Sequence, residues 1–245
     1  MRKIPTAMVT ILTASVCTAA HADVEYLTQA RSVGAYASTG SVGGSQTVLQ
    51  TAPDFSAFAR TLTATVGNPS NPFGAWSTST VYQRSELLPD RITAGGTGSG
   101  RFQVNGGSLG GYSSEATQVI DITFHLSEAT AYSLNLYYNI DALDSRLGSP
   151  APVTHFELSG PAGFTPYLLS GPAGYGGEVQ NLNTSGVMPA GNYHLFLDAS
   201  VSSAFFGSQG YITEMNMTLI IPSPGTACIG LLAGCALASR RRRAH

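Results

Sequence analysis

Thr117-Gln118-Val119-Ile120-Asp121-Ile122-Thr123-Phe124-His125-Leu126 and, after a short break, Ala131-Tyr132-Ser133-Leu134-Asn135-Leu136-Tyr137-Tyr138-Asn139-Ile140 decide the fold. In the first segment Ile120, Ile122, Phe124 and Leu126 share one parity, and Asp121, Thr123 and His125 share the other. In the second, Tyr132, Leu134, Leu136, Tyr138 and Ile140 stand on one face, with Ser133 and Asn135 opposite. Successive side chains of a strand point to opposite faces, so strict period-two alternation puts one face in a core and the other in water. This is the clearest strand pair in the chain, with Ser127-Glu128-Ala129-Thr130 as its connecting turn.

Outward from this pair the same pattern recurs between Gly, Pro, Asn and Ser clusters, and no run has helical spacing. Towards the N-terminus, Val24 to Ala30 reads as a first strand and a candidate edge. Arg31 to Ser45 reads as loop with a short strand, and Thr47 to Gln50 as a strand. Phe58, Leu62 and Val66 could face inward from a strand within Phe55 to Val66, although Ala57-Phe58-Ala59-Arg60 could equally begin a helix. A turn-rich loop from Gly67 to Gly74 precedes Trp76 and a strand from Thr80 to Leu88. The run Gly95-Gly96-Thr97-Gly98-Ser99-Gly100 reads as a flexible, hairpin-like loop between Arg91 to Ala94 and Arg101 to Asn105. Towards the C-terminus, strands are expected at Val153 to Ser159, Phe164 to Leu169, Glu178 to Asn183, Tyr193 to Val201 and Gly210 to Ile221. The fold expected is all-β: a single β-sandwich or jelly-roll-like domain over 23–220, flanked by an N-terminal signal helix and a C-terminal transmembrane helix.

The ends differ from the body. Met1-Arg2-Lys3, the apolar Ile4 to Thr18 and Ala20-His21-Ala22 have the three parts of a cleaved signal peptide, 1–22, with cleavage before Asp23. The body has six arginines, no lysine and all 14 acidic residues, a net charge of −8. That excludes the clustered positive charge needed by nucleic acid or an anionic membrane surface. The three cysteines, Cys17, Cys228 and Cys235, all lie in the terminal segments. The body therefore has neither a disulfide framework nor a thiolate metal site, and its stability must come from a core. No metal and no cofactor is expected.

Several motifs carry residue types suited to chemistry. Gly106-Gly107-Ser108-Leu109-Gly110 fits the nucleophile-elbow pattern, with His125, His155 or His194 as its base, but a strand, not a helix, is expected to follow it. Gly95 to Gly100 lacks the Gly-Lys-Ser/Thr ending of a phosphate loop. Asp141 and Asp144, near Asn139, offer oxygens to calcium or form a solvated turn. Trp76, Tyr82, Tyr132, Tyr137 and Tyr138 form either a sugar-stacking platform or core and edge cover. Trp76 and Tyr137 are the candidate ligand-facing residues, Tyr137 because its parity faces water.

The C-terminus, 221–245, has three ordered parts: Pro222-Ser223-Pro224-Gly225, the apolar run Thr226 to Ser239, and Arg240, Arg241, Arg242 and Arg243. It resembles the PEP-CTERM sorting signal of exported bacterial proteins, with Ser223 where the usual motif has glutamate. The prolines prevent regular structure and leave the backbone extended. Fourteen residues rise about 21 Å as a helix, and about 27 Å when counted from Pro222, enough for a thin bilayer. The arginines hold the end in the cytoplasm. The resemblance implies an exosortase-like sorting enzyme as partner, cleavage near Pro222 to Gly225, a transient or lasting membrane anchor, and delivery to the cell surface or an extracellular polysaccharide matrix. In the body, Pro189-Ala190-Gly191-Asn192-Tyr193-His194-Leu195 is similar to the Pro-x-Gly-x-Tyr-x-Leu turn-to-strand segment of exported β-sandwich domains. The function expected is a non-enzymatic surface or matrix protein whose body is structural or weakly carbohydrate-binding. The alternative is a secreted hydrolase of polysaccharide or ester.

Overall fold

A computed structural model describes residues 24–40, 43–71, 74–103, 112–142, 153–172, 178–204 and 209–222. They form twelve strands: β1 (Val24–Ser38), β2 (Ser45–Thr51), β3 (Phe58–Gly67), β4 (Trp76–Leu88), β5 (Arg91–Gln103), β6 (Ser113–Leu126), β7 (Thr130–Ala142), β8 (Val153–Ser159), β9 (Tyr167–Pro172), β10 (Glu178–Met188), β11 (Gly191–Ala204) and β12 (Gln209–Ile220). Two antiparallel six-stranded sheets result, β2-β1-β6-β11-β8-β9 (sheet A) and β10-β7-β12-β5-β4-β3 (sheet B). They pack face to face, so the body is an all-β sandwich. The expected signal and transmembrane helices fall on residues outside those described. Among the described residues no helix is long and apolar enough to cross a membrane.

The apolar parity of 120–126 and of 132–138 faces the interior. Ile120, Ile122, Phe124 and Leu126 from β6 meet Tyr132, Leu134, Leu136 and Tyr138 from β7 in one buried cluster. The two strands do not pair with each other, however. β6 lies in sheet A between β1 and β11, and β7 in sheet B between β10 and β12. Residues 127–129 therefore carry the chain across the sandwich. Alternation identifies which face is buried but not which strand is the hydrogen-bonded neighbour.

Two other expectations are corrected, for β1 and for the glycine run, and one open alternative is decided. β1 continues through Ser38 and is flanked by β2 and β6, so it is neither short nor an edge. Its later half carries Val33, Ala35 and Ala37 inward, small residues that suffice because the layers lie close there. The segment starting at Phe58 is strand, not helix. The glycine run is the middle of β5, a strand paired on both sides, by β4 and β12. Glycine is ordinarily poor in strands, but here the opposite sheet needs the space. A Cβ on Gly96 would lie 1.8 Å from Gln118 Oε1 and 2.4 Å from the Tyr82 carbonyl, and one on Gly98 2.9 Å from Ala116 Cβ.

The interlayer is narrow under this run. Cα atoms of β1 and β4, and of β4 and β6, approach within 8 Å, closer than the usual spacing of about 10 Å between packed sheets. Side chains of β4 then reach backbone of β6 directly. Ser77 Oγ donates to the Ser113 carbonyl at 2.7 Å, Ser79 Oγ to the Glu115 carbonyl at 2.5 Å, and Gln83 Nε2 to the Val119 carbonyl at 3.3 Å. Each donor meets the carbonyl 36 residues further on, so β4 and β6 are stacked parallel and in step. At the mouth of this seam the buried Arg31 donates to Gln29 Oε1 at 3.0 Å, Ser85 Oγ at 3.1 Å and the Ser56 carbonyl at 2.8 Å, which fastens the β2–β3 connection to the body.

The turn before β11 has a specific lock. Gly191 has φ +139°, a region that favours glycine, and a Cβ there would meet Pro161 Cγ at 2.9 Å. Tyr193 then folds back, and its hydroxyl donates to the Pro189 carbonyl at 2.6 Å. This is the tyrosine-corner arrangement of β-sandwiches. Burial pushes the Tyr193 hydroxyl pKa up to about 12, so it remains a donor across the ordinary pH range.

Candidate functional site

Sheet B turns a polar face to solvent. Strand register aligns Ala59, Arg84, Gly95, Asn216, Tyr137 and Asn181 in one row across six strands. The row on one side is Glu86, Thr93, Thr218, Asn135 and Asn183. The row on the other is Thr61, Tyr82, Thr97, Glu214, Asn139 and Val179. Tyr137 thus has an asparagine at all four nearest positions: Asn135 and Asn139 on its own strand, Asn216 and Asn181 on the strands beside it. Directly opposed residues hold their Cβ atoms about 4.5–5.5 Å apart, which brings Asn181 and Asn216 next to Tyr137 on the same surface. Asn216 Nδ2 donates to Glu214 Oε1 at 3.1 Å.

Two depressions cross this face. One, about 440 Å³, is lined by Ala59, Arg84, Glu86, Thr93 and Asn216 among others. The second, about 510 Å³, is lined by Ser133, Asn135, Asn183, Ser185 and Ile220 among others. Thr218 lines both, so the two adjoin as a transverse furrow that passes beside Tyr137, Asn139 and Asn181, none of which lines it. Gly95 lowers its floor, since a Cβ there would sit 2.8 Å from Asn216 Oδ1 and 3.4 Å from Arg84 Nε.

Trp76 shares this outward parity but not this place. It opposes Gln103, and its Nε1 donates to Gln103 Oε1 at 3.1 Å. It stands eight residues along β4 from Arg84, roughly 27 Å at strand rise, and three strands over from Tyr137. The two candidate ligand-facing residues are therefore not one platform. Tyr132 and Tyr138 are buried in the core, and Tyr82 lies on the outer face between the two regions.

Sheet A presents ionisable groups on its outer face. His194 Nε2 lies 3.0 Å from Asp121 Oδ1, His155 Nε2 lies 3.8 Å from Glu157 Oε2, and His125 Nδ1 lies 2.7 Å from Asn192 Oδ1. Phe196 sits between two of these rings, 5.4 Å from His155 and 6.4 Å from His194. Asp198 opposes His155 in register and accepts from Ser200 Oγ. Burial raises its carboxyl pKa above the ordinary value, opposed by the Ser200 hydrogen bond and the His155 charge. Among the described residues no group of three or more His, Cys, Asp or Glu could hold a metal ion. The Gly106–Gly110 motif with Ser108, and Asp144 of the calcium alternative, lie outside the described residues.

At the C-terminal exit, β12 ends at Ile220. Ile221 is buried and its N–H donates to the Asp90 carbonyl at 2.8 Å. The Pro222 carbonyl accepts from Thr130 Oγ1 at 3.4 Å. Ser223, Pro224, Gly225 and Arg240 to Arg243 lie outside the described residues.

The geometry defines an all-β sandwich with one ionisable outer face and one amide-rich, furrowed outer face. No protein-family model matches the chain, and no curated protein matches it. Sequence reasoning singled out Tyr137, set Asn135 on the outward face and named Asn139 only beside the calcium alternative, and it missed Asn181, Asn183 and Asn216. A local signal existed, in that Asn-x-Tyr-x-Asn at 135–139 and Asn-x-Asn at 181–183 repeat at period two on outward parity. Their convergence needed the strand order β10-β7-β12, which no local pattern carries.

Proposed function

We propose that this is an exported, non-enzymatic protein of the cell surface or extracellular matrix, sorted through its C-terminal segment, whose body serves as a structural module in contact with extracellular polysaccharide. The observation that carries the reading is the ordered tail: Pro222-Ser223-Pro224, the apolar Thr226 to Ser239, and Arg240 to Arg243, with a signal-peptide pattern at the other end. The body supports it by where its anchoring ends. Among the described residues Ile221 is the last buried one, and Pro222, where the proline motif starts, is only part-buried. Prolines at 222 and 224 disfavour regular structure, which suits a segment that a processing enzyme must engage.

Intact mass of the mature protein, with and without Arg240 to Arg243, tests the reading in a host that has an exosortase-like enzyme. The expected result is loss of the tail from the unaltered chain and its retention when the arginines are removed. If both forms keep an intact C-terminus, the sorting proposal fails.

A further inference from the structure

We propose that the outer face of β10, β7 and β12 is a binding site for a neutral polysaccharide chain, with Tyr137 as the stacking surface and Asn135, Asn139, Asn181 and Asn216 as the hydroxyl-recognising rim. This deepens the reading that the body contacts extracellular polysaccharide and rests on it.

The first ground is what the fold does not require. Asparagine is depleted in strands, where β-branched and aromatic residues fit the pleat better. The β3–β4 side of the same outer face follows that rule, with cross-strand threonines Thr63 and Thr80 at 3.2 Å and Thr65 and Thr78 at 3.0 Å. On the β10–β7–β12 side Asn135, Asn139, Asn181, Asn183 and Asn216 occupy equivalent solvent-facing positions instead. A departure from local preference that packing does not explain is expected at a functional surface.

The second ground is chemical fit. A side-chain amide offers two donors and an acceptor on one planar group. A sugar hydroxyl is likewise donor and acceptor, so an amide can serve vicinal hydroxyls in either sense. A tyrosine ring supplies a rigid apolar face for the C–H side of a pyranose at low entropic cost. Alternation on a strand holds Tyr137 and its rim on one surface without any loop rearrangement.

The third ground concerns length and charge. The furrow crosses six strands, about 24 Å at ordinary strand spacing, which is longer than one sugar ring and suits a chain. Its lining sets Arg84 against Glu86, Glu214 stands one row away, and the body as a whole is at −8. A polyanion would be repelled, whereas a neutral chain would not.

The test uses the full chain in affinity electrophoresis through gels containing soluble β-glucan, xylan, mannan or galactan, with polygalacturonate as the anionic comparator. Retardation by at least one neutral polymer and not by polygalacturonate is expected. Tyr137→Ala should weaken that binding at least roughly tenfold, the scale of truncating an aromatic anchor. Tyr137→Phe should keep most of it, and Thr63→Ala on the threonine side should leave it unchanged. A melting curve accompanies each variant; if Tyr137→Ala is unfolded, Asn181→Ala on the exposed edge strand decides in its place, with weakened binding expected. No retardation by any neutral polymer, retardation by polygalacturonate alone, or unaltered binding in the deciding variant overturns the site. Mature mass is read separately. A processed tail without polysaccharide binding sinks the site and spares the sorting proposal, and binding by a chain that keeps its tail does the reverse.

Discussion

Under β7, β8, β11 and β12 the space between the sheets is filled by Tyr132, Leu134, Leu136, Tyr138, Phe156, Leu158, Leu195, Leu197 and Met217. Under β1, β3 and β4 it is occupied mainly by smaller residues, Val33, Ala35, Ala37, Ala64, Val81 and Ala116, with Phe58 and Leu62 from β3, and next to them by Gly96, Gly98, Ser77, Ser79, Gln83 and Gln118. One half holds its layers apart with large apolar side chains. The other draws them together until hydroxyls of one sheet reach carbonyls of the other. The first kind of interior draws its stability from buried area and is sensitive to lost volume. The second buries little area per residue and is sensitive to added atoms and to broken hydrogen bonds. The glycine run of β5 connects these halves to the outer face: Gly96 and Gly98 face inward and allow the close approach, while Gly95 faces outward and deepens the furrow.

The largest effect is expected from removing volume in the wide half. Ile122→Ala should cost about 3 kcal/mol, the middle of the range for such truncations, because Ile122 is fully buried within the large cluster. Denaturant unfolding measures it, and a cost below about 1 kcal/mol would show that this half collapses around the cavity. The narrow half should show the opposite sensitivity. Gly96→Ala adds one methyl and should cost about 2 kcal/mol, within the range for overpacking. Gln118→Ala in the same chain should recover only part of that cost, since it clears the 1.8 Å clash with Gln118 Oε1 but leaves the Tyr82 carbonyl at 2.4 Å. Full recovery in the double variant would mean that the backbone has room to spread and the two halves differ less than their contents suggest.

A smaller effect separates the halves by bond type. Ser77→Ala removes an inter-sheet hydrogen bond but almost no volume, and should cost about 1 kcal/mol. A null result would assign the close approach to shape alone.

The same contrast explains what could be read from sequence. Large apolar residues at period two, as in Ile120 to Leu126 and Tyr132 to Tyr138, report a buried face directly, and these strands were legible in place and parity. The narrow half sends no such signal. Val33, Ala35 and Ala37 alternate with Ser32, Gly34 and Tyr36, so size does not mark the inner face, and β1 was cut short at residue 30. Gly95 to Gly100 carries the composition of a loop; its ladders to β4 and β12 make it a strand, and the opposing Ala116 and Gln118 explain why glycine is used there. Tyr137 was legible as a tyrosine on the wrong parity for a core. Its asparagine rim was not, because Asn181 and Asn216 lie 44 and 79 residues away in the chain and meet it only through the order of sheet B.

The smallest effect concerns charge, and it tests whether either interior is linked to pH. The narrow seam is held by serines, glutamines and glycines, none of which titrates in the ordinary range. Behind the wide half, on the outer face of β11, Asp198 does titrate, and burial raises its pKa in the folded protein. A carboxyl with a raised folded pKa favours the folded state when protonated. Its charged form therefore destabilises at neutral pH, and that penalty fades as pH falls through the raised folded value towards the ordinary unfolded one. Asp198→Asn keeps an acceptor for Ser200 Oγ and removes the charge. The variant should be more stable than the parent at neutral pH, by under about 1 kcal/mol because the group is partly solvated, and the two should converge on acidification. Melting temperature measured across that window decides it. A parent that is the more stable at neutral pH would show that the attraction of His155 and the Ser200 hydrogen bond outweigh burial, and would place the pH-sensitive contribution in the pairing on the outer face of sheet A instead.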